Sequence, residues 1–123
     1  MAKIGVDDSP QMQYVRTYQS ALETLTSAVF RLKSLAQDAP TAEERNEAAA
    51  EGLKLEQQMH LEDEKWFAWL KGDRTVNAPS QSQIDTASNL AEKVAAENAA
   101  DAKVNAIIDI ANKSLDLLAK LHK

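Results

Sequence analysis

An all-α fold is what this chain of 123 residues predicts, and three observations carry that expectation. Residues that lose least on entering a helix (Ala, Leu, Glu, Lys, Gln) dominate the sequence, against only three glycines and three prolines. The apolar residues recur at alternating spacings of three and four, the period of a helix face and not that of a strand. Breaks in the pattern are confined to a few Pro, Gly and Ser positions, so the helices between them must be long. A chain of this length fills about one hydrophobic core, which makes residues 10–123 a single helical-bundle domain.

The first nine residues, MAKIGVDDS, have no period and read as a loose arm, 1–9. Ser9 and Pro10 then start a helix, a capping hydroxyl followed by a proline whose missing N–H is one the first turn does not use. Val15, Tyr18, Leu22, Leu25, Val29, Leu32 and Ala36 set its apolar stripe, with Tyr14, Ala21, Ala28 and Leu35 alongside, over about 10–38. Pro40 ends that helix, and Thr41 with Glu44 three residues later forms a capping box for a second, over about 42–71, with Gly72 as its C-cap. Two such helices joined by so short a turn make a long antiparallel hairpin.

After a linker rich in turn formers, Ser80 or Ser82 caps a third long helical stretch, about 83–121. Its pattern does not hold one face. Ile84, Ala87, Ala91, Val94, Ala95 and Ala102 share one side, whereas Val104, Ile107, Ile108, Ala111, Leu115 and Leu118 lie nearly opposite. Either one helix continues and serves two partners, giving a three-helix bundle, or the chain reverses near residues 98–103, Asn98 ending one helix and Asp101 capping the next, to give a four-helix bundle. Ala99, Ala100 and Ala102, with no glycine nearby, favour the continuous helix. On that reading Val104, Ile107, Ile108, Ala111, Leu115 and Leu118 need an outside surface, and a second copy of the chain, a homodimer, is the simplest.

Charge is distributed unevenly. The net value is -5, and residues 40–72 hold eight acids against four bases, while the segments on either side are nearly balanced. No cluster of Lys and Arg offers the basic stripe that nucleic acid requires. Glu43, Glu44, Glu47 and Glu51 form an acidic ridge that complements the helix dipole and would also steer a basic partner. Trp69 is turned away from the apolar arc of its helix, and Phe30 and Met12 from that of theirs; such residues cover the linker or the third helix, or anchor a partner, for which Trp69 is the candidate.

The segment MHLEDEKWFAWLK, residues 59–71, holds one of only two histidines. Glu56, His60 and Asp63 are spaced four and three, which stacks them on one helix face as metal ligands must be. A ferritin-like site would need a second Glu-x-x-His helix, and a zinc site further Cys or His, and the sequence supplies neither. Alternatively, the three form a polar cluster whose carboxylates are paired. Trp66 and Phe67 are expected in the core beside Tyr14 and Tyr18, with Glu62 and Lys65 facing solvent.

Zero cysteines exclude a disulfide framework, a thiolate metal site and a cysteine nucleophile. No Ser-His-Asp order, phosphate loop or nucleotide fingerprint appears, so neither an enzyme nor a bound cofactor is expected. No apolar run reaches the length of a signal core or a membrane span, which points to a soluble cytoplasmic protein. The functional expectation is an acidic helical protein-binding module, an inhibitor or immunity protein of the antitoxin type that covers a basic surface of a toxin or enzyme. A structural subunit that self-associates through its C-terminal helix, and a metal-binding bundle, are the alternatives.

Overall fold

The computed structural model describes residues 10–72, 79–99 and 103–121, which form four helices: α1 (Pro10–Asp38), α2 (Ala42–Leu70), α3 (Gln81–Ala99) and α4 (Val104–Leu121). No strand occurs among the described residues, and none of the described helices is long and apolar enough to cross a membrane. The fold is the all-α bundle that the helical period predicts. The arm 1–9, linker residues 73–78 and Asp101 lie outside the described residues.

Local chemistry sets the helix ends. The Ala39 N–H donates to the Leu35 carbonyl at 3.0 Å, and the Arg45 guanidinium donates to the Ala39 carbonyl at 2.8 Å, so acceptors left over at the end of α1 are satisfied. At the start of α2 the Glu44 N–H donates to the Thr41 hydroxyl at 3.1 Å, and that hydroxyl donates to the Glu44 carboxylate at 3.0 Å. Ser80 caps α3 with a reciprocal box: the Gln83 N–H reaches its hydroxyl at 3.1 Å, and its own N–H reaches the Gln83 side-chain oxygen at 2.9 Å. Gly72, with φ of 80°, takes the left-handed conformation that follows α2 and that a side chain would oppose. Thr41→Ala and Ser80→Ala should each lower stability by about 1 kcal/mol, read as a shifted urea midpoint at unchanged slope.

Cross-helix contacts fix the topology. Lys33 meets Glu56, Thr26 meets Met59 and Tyr18 meets Asp63, a series that ascends on α2 as it descends on α1, as an antiparallel hairpin requires. α4 runs parallel to α2: its first residues share a cleft with Glu44 and Glu47, and Leu115 and Ala119 share another with Leu61 and Ala68. α1 touches all three other helices, α4 touches α1, α2 and α3, and the described parts of α2 and α3 do not touch. α1 and α4 therefore form the short diagonal of a four-helix bundle, with α2 and α3 on opposite flanks. Tyr14, Tyr18, Leu25, Leu32, Leu55, Ile107, Leu118 and Leu121 are fully buried in its centre.

Of the two readings of residues 83–121, the structure has the four-helix one, and the continuous helix favoured by the alanines does not form. Burial decides against propensity. Interrupting a helix forfeits at most about 1 kcal/mol per residue. Folding α4 back onto α1 buries Val104, Ile107, Ile110, Leu117, Leu118 and Leu121, each contributing roughly 1.5–3 kcal/mol. At the start of α4 the Lys103 carbonyl accepts the first bond from the Ile107 N–H at 3.1 Å, and the Lys103 N–H lies 3.4 Å from the Glu97 carboxylate.

This rearrangement removes the premise of self-association through α4. Val104, Ile107, Ala111 and Leu118 are buried inside their own bundle, and Ile108 and Leu115 are half-buried against the core. Most of the apolar face that a second copy was expected to cover is covered inside the bundle, chiefly by α1.

Candidate functional site

Helix α2 carries most of the chemistry, and its neighbours divide that chemistry into three regions. The first is the Glu56, His60, Asp63 face. Lys33 from α1 reaches the Glu56 carboxylate at 2.7 Å, and this hydrogen bond, the ammonium charge and nearby His60 hold the Glu56 carboxyl below its ordinary range. Asp63 accepts from the Tyr18 hydroxyl, and His60 is exposed. The triad expected for metal is thus dismantled: each carboxylate already answers a group on α1, and no set of three His, Cys, Asp or Glu among the described residues is arranged to hold a metal ion.

The second region is an aromatic stack at the other end of the hairpin. Trp66 lies nearly parallel to Tyr18, ring centroids 4.5 Å apart at 10°, and over Tyr14 at 5.9 Å and 26°. The Tyr18 hydroxyl is 3.3 Å from both the Glu62 carbonyl and an Asp63 carboxylate oxygen, long distances for a hydroxyl, whose one proton serves two acceptors. Burial, then the Asp63 charge, push the Tyr18 phenol well above its ordinary pKa. Trp66 takes the place its spacing predicts, but Phe67 does not join it: Phe67 is 58% exposed. Glu62, expected in solvent, is instead buried and paired with Lys65 at 2.8 Å. Both departures have one cause. The α2 face that meets the rest of the bundle is turned towards α4, which brings Glu62 inward and rotates Phe67 out.

The third region is the flank of α2 facing α4. Glu44 and Glu47 line a cleft of about 630 Å³ with Pro40, Lys103 and the first turn of α4. Further along, a cleft of about 700 Å³ opens between Leu61, Glu62, Glu64, Lys65 and Ala68 of α2 and Leu115, Asp116 and Ala119 of α4. Leu61 projects at 58% exposure beside the half-buried Leu115. Apolar side chains thus sit between acidic ones. Of the predicted ridge, Glu44 is occupied by its cap, whereas no ion pair among the described residues engages Glu43, Glu47 or Glu51. Glu44 and Glu47 of the ridge stand beside α4. The Trp69 side chain lies outside the described residues.

Sequence reasoning missed the α2 and α4 cleft because it needed the position of α4. It also missed Leu53, 58% exposed beside the cleft that α2 forms with Lys33 and Gln37 of α1, while the outward positions of Phe30 and Met12 are as their helical angles predict. Comparison with protein-family models, with curated proteins and with solved structures finds no match.

Proposed function

We propose that the chain is a small acidic binding module of the inhibitor or immunity type, which blocks a toxin or enzyme by covering a basic surface on it. The observation that carries this reading is the set of acids on α2 that the fold does not use. Glu56 and Glu62 are consumed by Lys33 and Lys65, and Glu44 by the helix cap. Glu43, Glu47 and Glu51 hold no partner within the described bundle, so their charge remains available to steer an opposite one. A rigid four-helix frame supports such a role, because its contact surface needs little ordering on binding.

The test is a double charge reversal, Glu47→Lys with Glu51→Lys, in the protein co-purified with its stoichiometric partner from the native host. The expected result is about a tenfold slower association at low salt, a difference that shrinks as salt rises, and weaker inhibition of the partner's activity. A partner whose contact surface is acidic, or an association rate indifferent to both reversals, would overturn the reading. Less supports the alternatives: most of the α4 face proposed for self-association is buried in the chain's own bundle, and Glu56 and Asp63 of the proposed metal set already meet Lys33 and Tyr18.

A further inference from the structure

We infer that the outward face of α1 is where two copies of this chain pair, their α1 helices lying antiparallel about a two-fold axis at Ser27. The inference goes beyond the inhibitor reading and stands without it, since the acids that carry that reading belong to α2. Three observations support the pairing.

The face is open and carries an aromatic ring. Phe30 is 67% exposed, more than any other large apolar side chain among the described residues. No described helix covers it, although α1 touches all three of the others. An exposed ring alone would be ordinary on a protein surface.

The charges around that ring choose the occupant. Arg16, Glu23, Arg31 and Asp38 follow one another along the face, and Ser27 is the midpoint both of Glu23 with Arg31 and of Arg16 with Asp38. Glu23 and Arg31 are about 12 Å apart along the axis, too far to meet within one helix. No ion pair among the described residues engages either, and the Arg31 Nε is screened from solvent without a hydrogen-bond partner. A second copy laid antiparallel about Ser27 brings its Glu23 to Arg31 and its Arg31 to Glu23. The same register sets Arg16 opposite Asp38, so no like charges face each other. A helix of another protein has no reason to repeat this symmetry, whereas a copy of the chain repeats it by construction.

Finally, the face has a hollow for the incoming carboxylate. Ser27, Phe30, Arg31 and Ser34 border a cleft of about 330 Å³. Their spacing of i, i+3, i+4 and i+7 is that of the hole which one side chain of a facing helix fills. In the register set by Ser27 that side chain is Glu23 of the other copy, which arrives beside the Arg31 guanidinium and two hydroxyls. Phe30 in turn lies over Ser20 and Ser27 of the other copy, whose small side chains let the helices approach.

One helix face from each copy is small beside the roughly 800 Å² per partner of a stable interface, so the pair is weak, with a dissociation constant on the order of 100 µM. At the micromolar concentration of a melt the chain is a monomer.

The test is sedimentation equilibrium of the full chain at low salt, from about 10 µM to about 1 mM, a range that brackets such a constant. A reversible equilibrium between monomer and dimer is expected. Phe30→Ser and Glu23→Arg, both at exposed positions whose change leaves the core intact, should each weaken pairing at least tenfold. Leu61→Ser on α2 should leave it unchanged. Arg31→Glu should act as Glu23→Arg does, and an equimolar mixture of those two variants should pair again as the unaltered chain does, because each supplies the charge that the other lacks. Circular dichroism first establishes that the variants are folded; if Arg31→Glu is not, Phe30→Ser and Glu23→Arg decide alone. A chain that stays monomeric at the highest concentration, a dimer indifferent to Phe30→Ser or Glu23→Arg, or a mixture of folded variants that pairs no better than its components would overturn the inference. So would a dimer abolished by Leu61→Ser, which would move the contact to α2.

Discussion

Leu118→Ala should lower the free energy of unfolding by about 3 kcal/mol, Ile107→Ala by a similar amount, and neither loss should depend on protein concentration. Both side chains are fully buried where α4 crosses α1. Removing their outer carbons deletes transfer energy and leaves a cavity in a centre that cannot collapse, because α1 touches all three of the other helices. Urea denaturation followed by circular dichroism reads the effect, and in a thermal melt the same loss lowers the midpoint by roughly 10 °C. Concentration carries the argument. Were these residues the contact between two copies, dilution would lower the midpoint and the substitutions would act by dissociating a dimer. A midpoint that moves with dilution, or a loss under about 1 kcal/mol, would mean that α4 does not pack inside its own chain.

The same two helices show where the sequence was legible and where it was not. The helix ends could be read almost to the residue where a local device specifies them: Thr41 with Glu44 at the start of α2, Gly72 after it, and Ser80 with Gln83 at the start of α3. The reversal before α4 is signalled less plainly. Asn98 and Asp101 offer an end and a cap, and the apolar face jumps by half a turn between Val94 and Val104, but the alanines that bridge this jump argue locally for helix. A local preference of a few tenths of a kcal/mol per residue yields to an amphipathic face seeking cover, and that cover comes from α1, more than sixty residues earlier in the sequence. The candidate site follows the same rule. Spacing placed Glu56, His60 and Asp63 on one face correctly, yet what those groups do was decided by Lys33 and Tyr18 on another helix. The cleft beside Leu61 belongs to two helices and is written in neither.

Trp66→Ala should cost about 3 kcal/mol, although Trp66 is only half-buried, because the indole is the lid over both tyrosines. Its loss removes the stacking and opens the Tyr18 hydroxyl to water, so the milder substitution Tyr18→Phe isolates the polar part of the same cluster. At neutral pH Tyr18→Phe should cost about 1 kcal/mol, the net worth of a hydroxyl bond shared between the Glu62 carbonyl and Asp63. The sign of the pH dependence follows from the raised phenol. Below about pH 10 both the folded and the unfolded chain hold the Tyr18 proton, and its contribution is complete. Above that pH the unfolded chain releases the proton while the folded one keeps it, held by burial and by the Asp63 charge, so the unfolded state binds fewer protons and stability falls as pH rises. Tyr18→Phe has no proton to lose. The stability gap between the two proteins should therefore narrow from pH 8 to pH 11 in paired urea titrations. A gap that stays constant over that range would mean that Tyr18 titrates alike in both states, and that its hydroxyl is not enclosed by Trp66 and Asp63.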